Sequence, residues 1–290
     1  MTWKQSEFSD FLLYLRCTET PVMTDNDRLV DLDKVVATKF KGKKIPGFVV
    51  SFLKKFIHQD FLNSILSDDS EGVEFCEHTL NRMGVTLEVE GLENVPADGT
   101  LYTFASNHPL GGIDGLALCS IIGRHFGEVK MPVNDFLMYI KPLEPLFIPV
   151  NKTGSLARNL PTMLDSAFRS DDQILIFPAG ICSRRIGGTV QDLPWTKTFI
   201  TKSRATSREI VPVHFIGENS SRFYRVANLC KALKLKFNFA MLFLPDEMYR
   251  ARGSHFKVVF GKPLPAGTFD SSRTPLQWAS YIREKVYQLQ

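Results

Sequence analysis

This 290-residue sequence predicts an α/β fold: a mixed central sheet flanked by helices, with an N-terminal helical segment. Three observations carry that reading. Residues 1 to about 85 have helical character, later residues alternate short apolar runs with amphipathic stretches, and Gly, Pro and Asn stand between them as turn residues. The predicted organisation is therefore a helical segment over 1–85, with membrane contact as one of its readings, and one larger domain over 86–290. No internal repeat or low-complexity segment interrupts it.

In the first segment, "IPGFVVSFLKKFIHQDFLNSIL" sets Phe48, Phe52, Phe56, Ile57, Phe61 and Ile65 along one side of a helix, with Lys54 and Lys55 at its polar edge. Two readings stand: a helix capping the core, or an interfacial helix dipping its Phe residues into a bilayer. "VTLEVEGLENVP" alternates Val85, Leu87 and Val89 against polar neighbours and reads as a strand closed by a turn. The run "TLYTFASNHP" is a second strand, "GLALCSIIGRHF" a helix, "VKMPVNDFLMYI" a strand edge followed by a helix, and "PLFIPVNK" a buried strand. "SLARNLPTMLDSAFRS" is a helix with a kink or break at Pro161. "QILIFPAG" is a strand ending in a turn, "WTKTFITKSRAT" a helix and "EIVPVHFIG" a strand. The tail supplies helices around Tyr224 to Leu235 and Leu276 to Leu289, with the strand "FKVVFGKPL" between them.

Composition narrows the function classes. With 44% hydrophobic and 23% charged residues, the chain has enough apolar material for a sizeable core and does not read as disordered. A net charge of +4 is too mild to argue for nucleic acid, whereas a weakly basic chain with 23 Phe suits an anionic membrane surface. Cys17, Cys76, Cys119, Cys182 and Cys230 are odd in number and widely spaced, so neither a disulfide framework nor a zinc site is expected, and the compartment reads as reducing. "MTWKQSEFSDFLLYLRC" lacks the small-residue cleavage site of a signal peptide, and no apolar run reaches the length of a spanning helix. Membrane contact is expected to be peripheral.

The stretch "SNHPLGGIDG" places His108 six positions before Asp114 across a turn of Pro and Gly. A His at a strand end can act as a base near neutral pH, and a carboxylate on one ring nitrogen would fix its tautomer and stabilise the imidazolium. Alone, the stretch reads equally as a loop His beside a helix-capping Asp. Other blocks weigh in. "FASNHPLGGIDG", "EPLFIPVNKTG", "LIFPAGICSR" and "IVPVHFIG" occur in that order over roughly residues 100 to 220. They resemble the four blocks of the PlsC-like glycerolipid acyltransferases. "NHPLGGIDG", "FPAG", "DLPWTKTF" and the tail resemble a haemolysin-like bacterial branch that includes O-acyltransferases of lyso-ornithine and lyso-glycine lipids.

The resemblance implies acyl transfer from acyl-CoA or acyl carrier protein to a lyso-lipid hydroxyl at the cytoplasmic face of the inner membrane, without another cofactor or a metal. His108 is then the general base and Asp114 its orienting partner. Two departures stand out: five residues rather than four separate His108 from Asp114, and Ala179 replaces the Glu of the third block. Gly111 and Gly112 offer the freedom to absorb the first as a bulge. The second makes an acceptor other than lysophosphatidic acid credible.

Direct transfer also needs donors for the tetrahedral oxyanion. Asn107, the amides near Gly111 and Gly112, and the turn ending at Gly180 are the candidates. Arg184, which matches the family arginine, and Arg185 offer guanidinium forks for a carboxylate or phosphate, or form a solvated pair. Lys152 reads as a phosphate contact or a surface lysine. Trp195 and Lys197 read as lining the acceptor entrance, with a buried anchor the alternative for Trp195. The remaining histidines, His58, His78, His125, His214 and His255, have no carboxylate placed beside them by any motif and read as structural. Rival functions are a 1-acylglycerol-3-phosphate acyltransferase, a thioesterase or lysolipid hydrolase, and a non-catalytic lipid-binding protein; the absence of a G-x-S-x-G elbow counts against the hydrolase.

Overall fold

The computed structural model describes residues 29–30, 47–133, 137, 140–149, 155–233 and 239–290. The chain divides into two compact units, Met1–Ser67 with Ser221–Arg250, and Asp68–Ser220 with Ala251–Gln290. This differs from a boundary at residue 85: the helix just before the first strand belongs to the sheet unit, and 221–250 groups with the N-terminal helices.

The first unit holds α1 (Gly47–Phe56) and α2 (Gln59–Leu66), and the second opens with α3 (Gly72–Met83), α4 (Ile113–Phe126), α5 (Ser155–Arg169) and α6 (Thr198–Ala205). The chain returns to the first unit with α7 (Ser221–Ala232) and α8 (Leu244–Arg250), then closes the second with α9 (Pro275–Gln288). In the first unit, the single helix read over residues 48–65 is two helices. The break is at His58, whose backbone is left-handed (φ 52°). His58 Nε2 lies 2.8 Å from Asp246 Oδ1, and its ring stacks on Tyr249 at 3.7 Å. Asp246 also accepts from Arg250 Nε at 2.7 Å and from Arg222. Phe48 (75% exposed) and Phe52 (65%) face solvent, while Phe56 and Phe61 pack edge-on against Phe243 and Tyr249. The apolar side is thus packed at Phe56 and Phe61 and exposed at Phe48 and Phe52.

The second unit is built on β1 (Thr86–Glu90), β2 (Tyr102–Ser106), β3 (Val129–Val133), β4 (Phe147–Pro149) and β5 (Gln173–Ile176). A separate two-stranded hairpin, β6 (Arg184–Ile186) and β7 (Thr189–Gln191), is followed by β8 (Glu209–Ile216) and β9 (His255–Phe260). The sheet runs β1-β9-β8-β2-β5-β3-β4, parallel at every junction except the antiparallel β8–β9 pair. It is the mixed sheet the sequence predicts. The helix read after β3 falls largely outside the described residues. α5 is one helix across Pro161 rather than a broken one. α8 and the β6–β7 hairpin are additions that the sequence reading did not contain.

β2 lies in the middle of the sheet, and all five of its residues are buried, as expected for a strand covered on both faces. The rings of Tyr102 and Phe104 turn towards Phe126 of α4, at 5.7 and 5.2 Å. On the other face Thr103 receives a hydrogen bond from Ser203 of α6 (2.7 Å). Beside it, Ala105 joins a cluster with Trp195, Phe199, Ile200, Trp278, Ile282 and Val286. α9 begins with a capping box of Thr274 and Gln277 and with Pro275 in its first turn, which fixes where the helix starts. At the entry to β8, fully buried Arg208 donates to the carbonyls of Phe168, Tyr102, Asp172 and Ser170 at 2.5 to 3.2 Å. It ties α5 and the loop after it to the start of the central strands.

α4 approaches α3 so closely that a Cβ on Gly123 would lie 2.3 Å from Val73 Cγ2 and 3.2 Å from Val73 Cβ. Because the whole Val73 side chain is in the way, one helix would have to shift. Gly123→Ala is therefore expected to destabilise the fold by about 1–3 kcal/mol and to lower Tm by a few degrees in thermal unfolding. An unchanged Tm would contradict this close approach.

Candidate active site

The turn after β2 carries His108, and α4 begins within six residues of it. His108 Nδ1 lies 2.9 Å from Asp114 Oδ2 despite the extra residue between them. Gly111 absorbs the insertion by adopting φ +79°, a conformation that a side chain would strain. Asp114 is fully buried, yet Oδ2 also accepts from the N–H groups of Leu110 (2.9 Å) and Gly111 (3.2 Å), and Oδ1 from that of Gly115 (3.0 Å). A carboxylate with these acceptor bonds requires Nδ1 to carry a proton, which leaves Nε2 as the nitrogen able to take one. The imidazole stacks on Phe177 at 4.1 Å, and its side chain keeps 17% of its surface exposed.

Burial opposes the charge on both members of this pair. For Asp114 it is outweighed by the charge and hydrogen bond of His108 and by the amides of Leu110 and Gly111, which hold the carboxyl below its ordinary value. For His108 it is outweighed by the charge and hydrogen bond of Asp114 and by the charge of Asp192, against a smaller contribution from Arg184. The imidazole therefore titrates above its ordinary value.

The third-block turn lies directly against this pair. Ser183 N–H donates to the His108 carbonyl at 2.7 Å, and the Ser183 hydroxyl to Asp192 Oδ1 at 2.5 Å. Between Ser183 and Asp192 the chain makes the β6–β7 hairpin, which turns at Gly187 (φ +59°) and Gly188 (φ +88°). Two positive φ angles in a row suit the tight turn of a two-residue hairpin. Asp192, buried, also accepts from His108 N–H (3.2 Å) and Trp195 Nε1 (2.8 Å).

The Acyltransferase family model matches residues 34–290. This chain belongs to that acyltransferase family. Among curated relatives, the lyso-glycine lipid O-acyltransferase of Bacteroides thetaiotaomicron is 53% identical over 273 residues, covering 92% of this chain and 100% of that protein. The protein of the same name from Phocaeicola vulgatus is 51% identical, covering 92% of this chain and 98% of its own length. A solved structure, the 1-acyl-sn-glycerophosphate (LPA) acyltransferase PlsC of Thermotoga maritima, aligns with a TM-score of 0.46 at 16% identity, over 97% of this chain and 96% of that one.

Not all residues singled out in this acyltransferase's sequence present free groups to the centre. Asn107 has both amide atoms engaged by β8, donating to Phe215 O at 2.9 Å and accepting from Phe215 N–H at 2.8 Å. Its side chain extends the strand pairing through these two bonds, and Nδ2 carries a second N–H beyond the one given to Phe215. The Gly111 amide is bound to Asp114, and the Gly180 amide donates to Phe177 O at 2.9 Å within its own turn. Gly112 stands at the start of α4.

Arg184 is buried, with Nη1 donating to the carbonyls of Cys182 (2.6 Å) and Ser183 (3.1 Å). Arg185 pairs with Glu218 at 2.9 Å, so neither arginine is part of a freely solvated pair. Lys197 is exposed at the start of α6, and Lys152 lies outside the described residues. Trp195 is a buried anchor.

Burial pushes the Cys182 thiol up to about 12, which keeps it neutral. Among the described residues no group of His, Cys, Asp or Glu is arranged to hold a metal ion. Three of the other histidines do meet carboxylates: His58 with Asp246, His78 with Asp68, and His255 with Glu88.

Asp192 and Ser183 are absent from the sequence-predicted site. The signal for them is "RRIGGTVQD", a Gly pair between short alternating runs. Read as a hairpin, it returns Asp192 to the third-block turn. If His108 must be neutral to work, kcat/KM is expected to fall on acidification with a midpoint above about 6.5, the unperturbed imidazole value. Asp114→Asn, which removes the charge that lifts His108, should move that midpoint down while lowering the rate. A limb below the unperturbed value in the unaltered enzyme would contradict the geometry.

Proposed function

We propose that this acyltransferase moves a fatty acyl group from a thioester to the hydroxyl of a lyso-glycine lipid, with His108 as general base and Asp114 as its orienting carboxylate. The observation that carries the reading is the 2.9 Å bond between His108 Nδ1 and buried Asp114, on a chain more than half identical to proteins of that named activity. Nε2 takes the proton of the acceptor hydroxyl as its oxygen attacks the thioester carbonyl. The tetrahedral intermediate collapses with cleavage of the carbon–sulfur bond, the imidazolium returns its proton to the departing thiolate, and an ester and a free thiol result. Asp114 stabilises the imidazolium between those steps.

The donor is acyl carrier protein or CoA in thioester form. The reaction is placed peripherally at the cytoplasmic face of the inner membrane. The exposed Phe48 and Phe52 near Lys54 and Lys55 support contact with an anionic membrane surface. Ala179, where the resembled family has Glu, supports an acceptor other than a glycerol phosphate.

The test is transfer of a labelled acyl group to a lyso-glycine lipid by the purified protein, with lysophosphatidic acid as the competing acceptor. His108→Ala is expected to reduce turnover by about 10³-fold or more while leaving the circular dichroism spectrum unchanged. Near-normal turnover of that variant would overturn the general-base assignment. Preference for lysophosphatidic acid would overturn the acceptor. In cells, loss of the protein should lead to accumulation of the mono-acylated glycine lipid.

A further inference from the structure

We propose that Asp192 is the positioning residue of the catalytic base, holding the main chain of His108 as Asp114 holds its ring; this rests on the general-base reading above. The argument begins with cost. A buried carboxylate is unfavourable unless donors surround it. Asp192 has three, and one is the backbone N–H of His108 itself. His108 is thus fixed at both of its main-chain polar groups: its N–H reaches Asp192 Oδ1 at 3.2 Å, and its carbonyl receives Ser183 N–H at 2.7 Å. The Ser183 hydroxyl ends on the same Oδ1, which closes a ring of His108, Ser183 and Asp192.

The ring is itself anchored. Asp192 N–H donates to Tyr287 Oη at 2.7 Å, and its carbonyl accepts from Arg283 Nη2 at 2.8 Å, both residues of α9. With the Asp114 bond added, His108 is held at backbone and side chain by two carboxylates from different elements. Positioning of that kind matters because small displacements of a reacting group cost large factors in rate.

The charge of Asp192 gives the role its own signature. Around His108 stand Asp114 from α4, Asp192 and Arg184 at the hairpin, and the neutral thiol of Cys182. Around Asp192 stand also Arg283 and Tyr287 of α9, the phenol pushed up to about 12 by burial, and His214 of β8, whose imidazole burial keeps below its ordinary value. Burial raises the Asp192 carboxyl, and its three donors offset part of that rise. Asp114 and His214 titrate below their ordinary values, which leaves His108 and Asp192 as the raised groups here, and a limb that Asp114→Asn also moves down belongs to His108.

Asp192→Asn keeps an acceptor for His108 and Ser183, but removes the charge and sets an amide against the indole N–H of Trp195. It is expected to lower kcat by about 10–100-fold with KM within about twofold, and to move the acid limb of kcat/KM down by about half a unit. The double variant D192N/W195F removes the clash of donors. It leaves a void in the cluster around Trp195 but should retain the lowered limb. Wild-type kcat and an unmoved limb in either variant would overturn the proposal.

If both variants fail to fold, Ser183→Ala opens the ring with every charge retained, and is expected to lower kcat several-fold at unchanged KM. An unchanged kcat there would overturn the positioning role. His108→Ala run in parallel separates the two readings: should it stay active, the base assignment fails, whereas an inactive H108A with wild-type D192N refutes only the role of Asp192.

Discussion

A carboxylate taken wholly out of water must find its hydrogen bonds in the chain, and at Asp114 that requirement shapes everything around the site. Its acceptor bonds come from His108, Leu110, Gly111 and Gly115, all within eight residues of sequence. To bring them to one point, the chain must leave β2, reverse through a left-handed Gly111 and start α4 at once. The strand end, the glycine turn and the first turn of the helix are thus one device. Its product is an imidazole with a fixed tautomer and one nitrogen left to exchange a proton.

What that device must supply is a set of bonds, not a number of residues. Five intervening positions satisfy Asp114 as long as glycine supplies the unusual backbone angle. The same logic applies at Ser183 and Asp192, where a hairpin of Gly187 and Gly188 sets the distance between two groups that must meet. Chemistry here is organised by polar groups that burial leaves no alternative but to pair.

Much of this was legible in the sequence, and the failures have physical causes. The alternating and apolar runs locate β1, β2, β5, β8 and β9, since strand burial leaves its period in the sequence. His108 and Asp114 stood out for their chemistry and for the blocks that follow. That both amide atoms of Asn107 pair with Phe215 is invisible locally, because the partner strand lies more than a hundred positions downstream. The break at His58 was invisible because its cause, the bond to Asp246 and the stack on Tyr249, lies almost two hundred positions downstream. Asp192 was passed over because its partners converge from the first block, the third block and α9. A single carboxylate in "VQDLPW" carries no local mark of that convergence.

The dependence on α9 has a consequence for the order in which the protein becomes competent. Strands β2, β5 and β8 and the whole of both glycine turns leave the ribosome well before Arg283 and Tyr287 do. β1 likewise waits for β9, its neighbour in the sheet. A growing chain can therefore assemble the central strands early, yet Asp192, bonded to His108, lacks its own contacts to Tyr287 and Arg283 until α9 has docked.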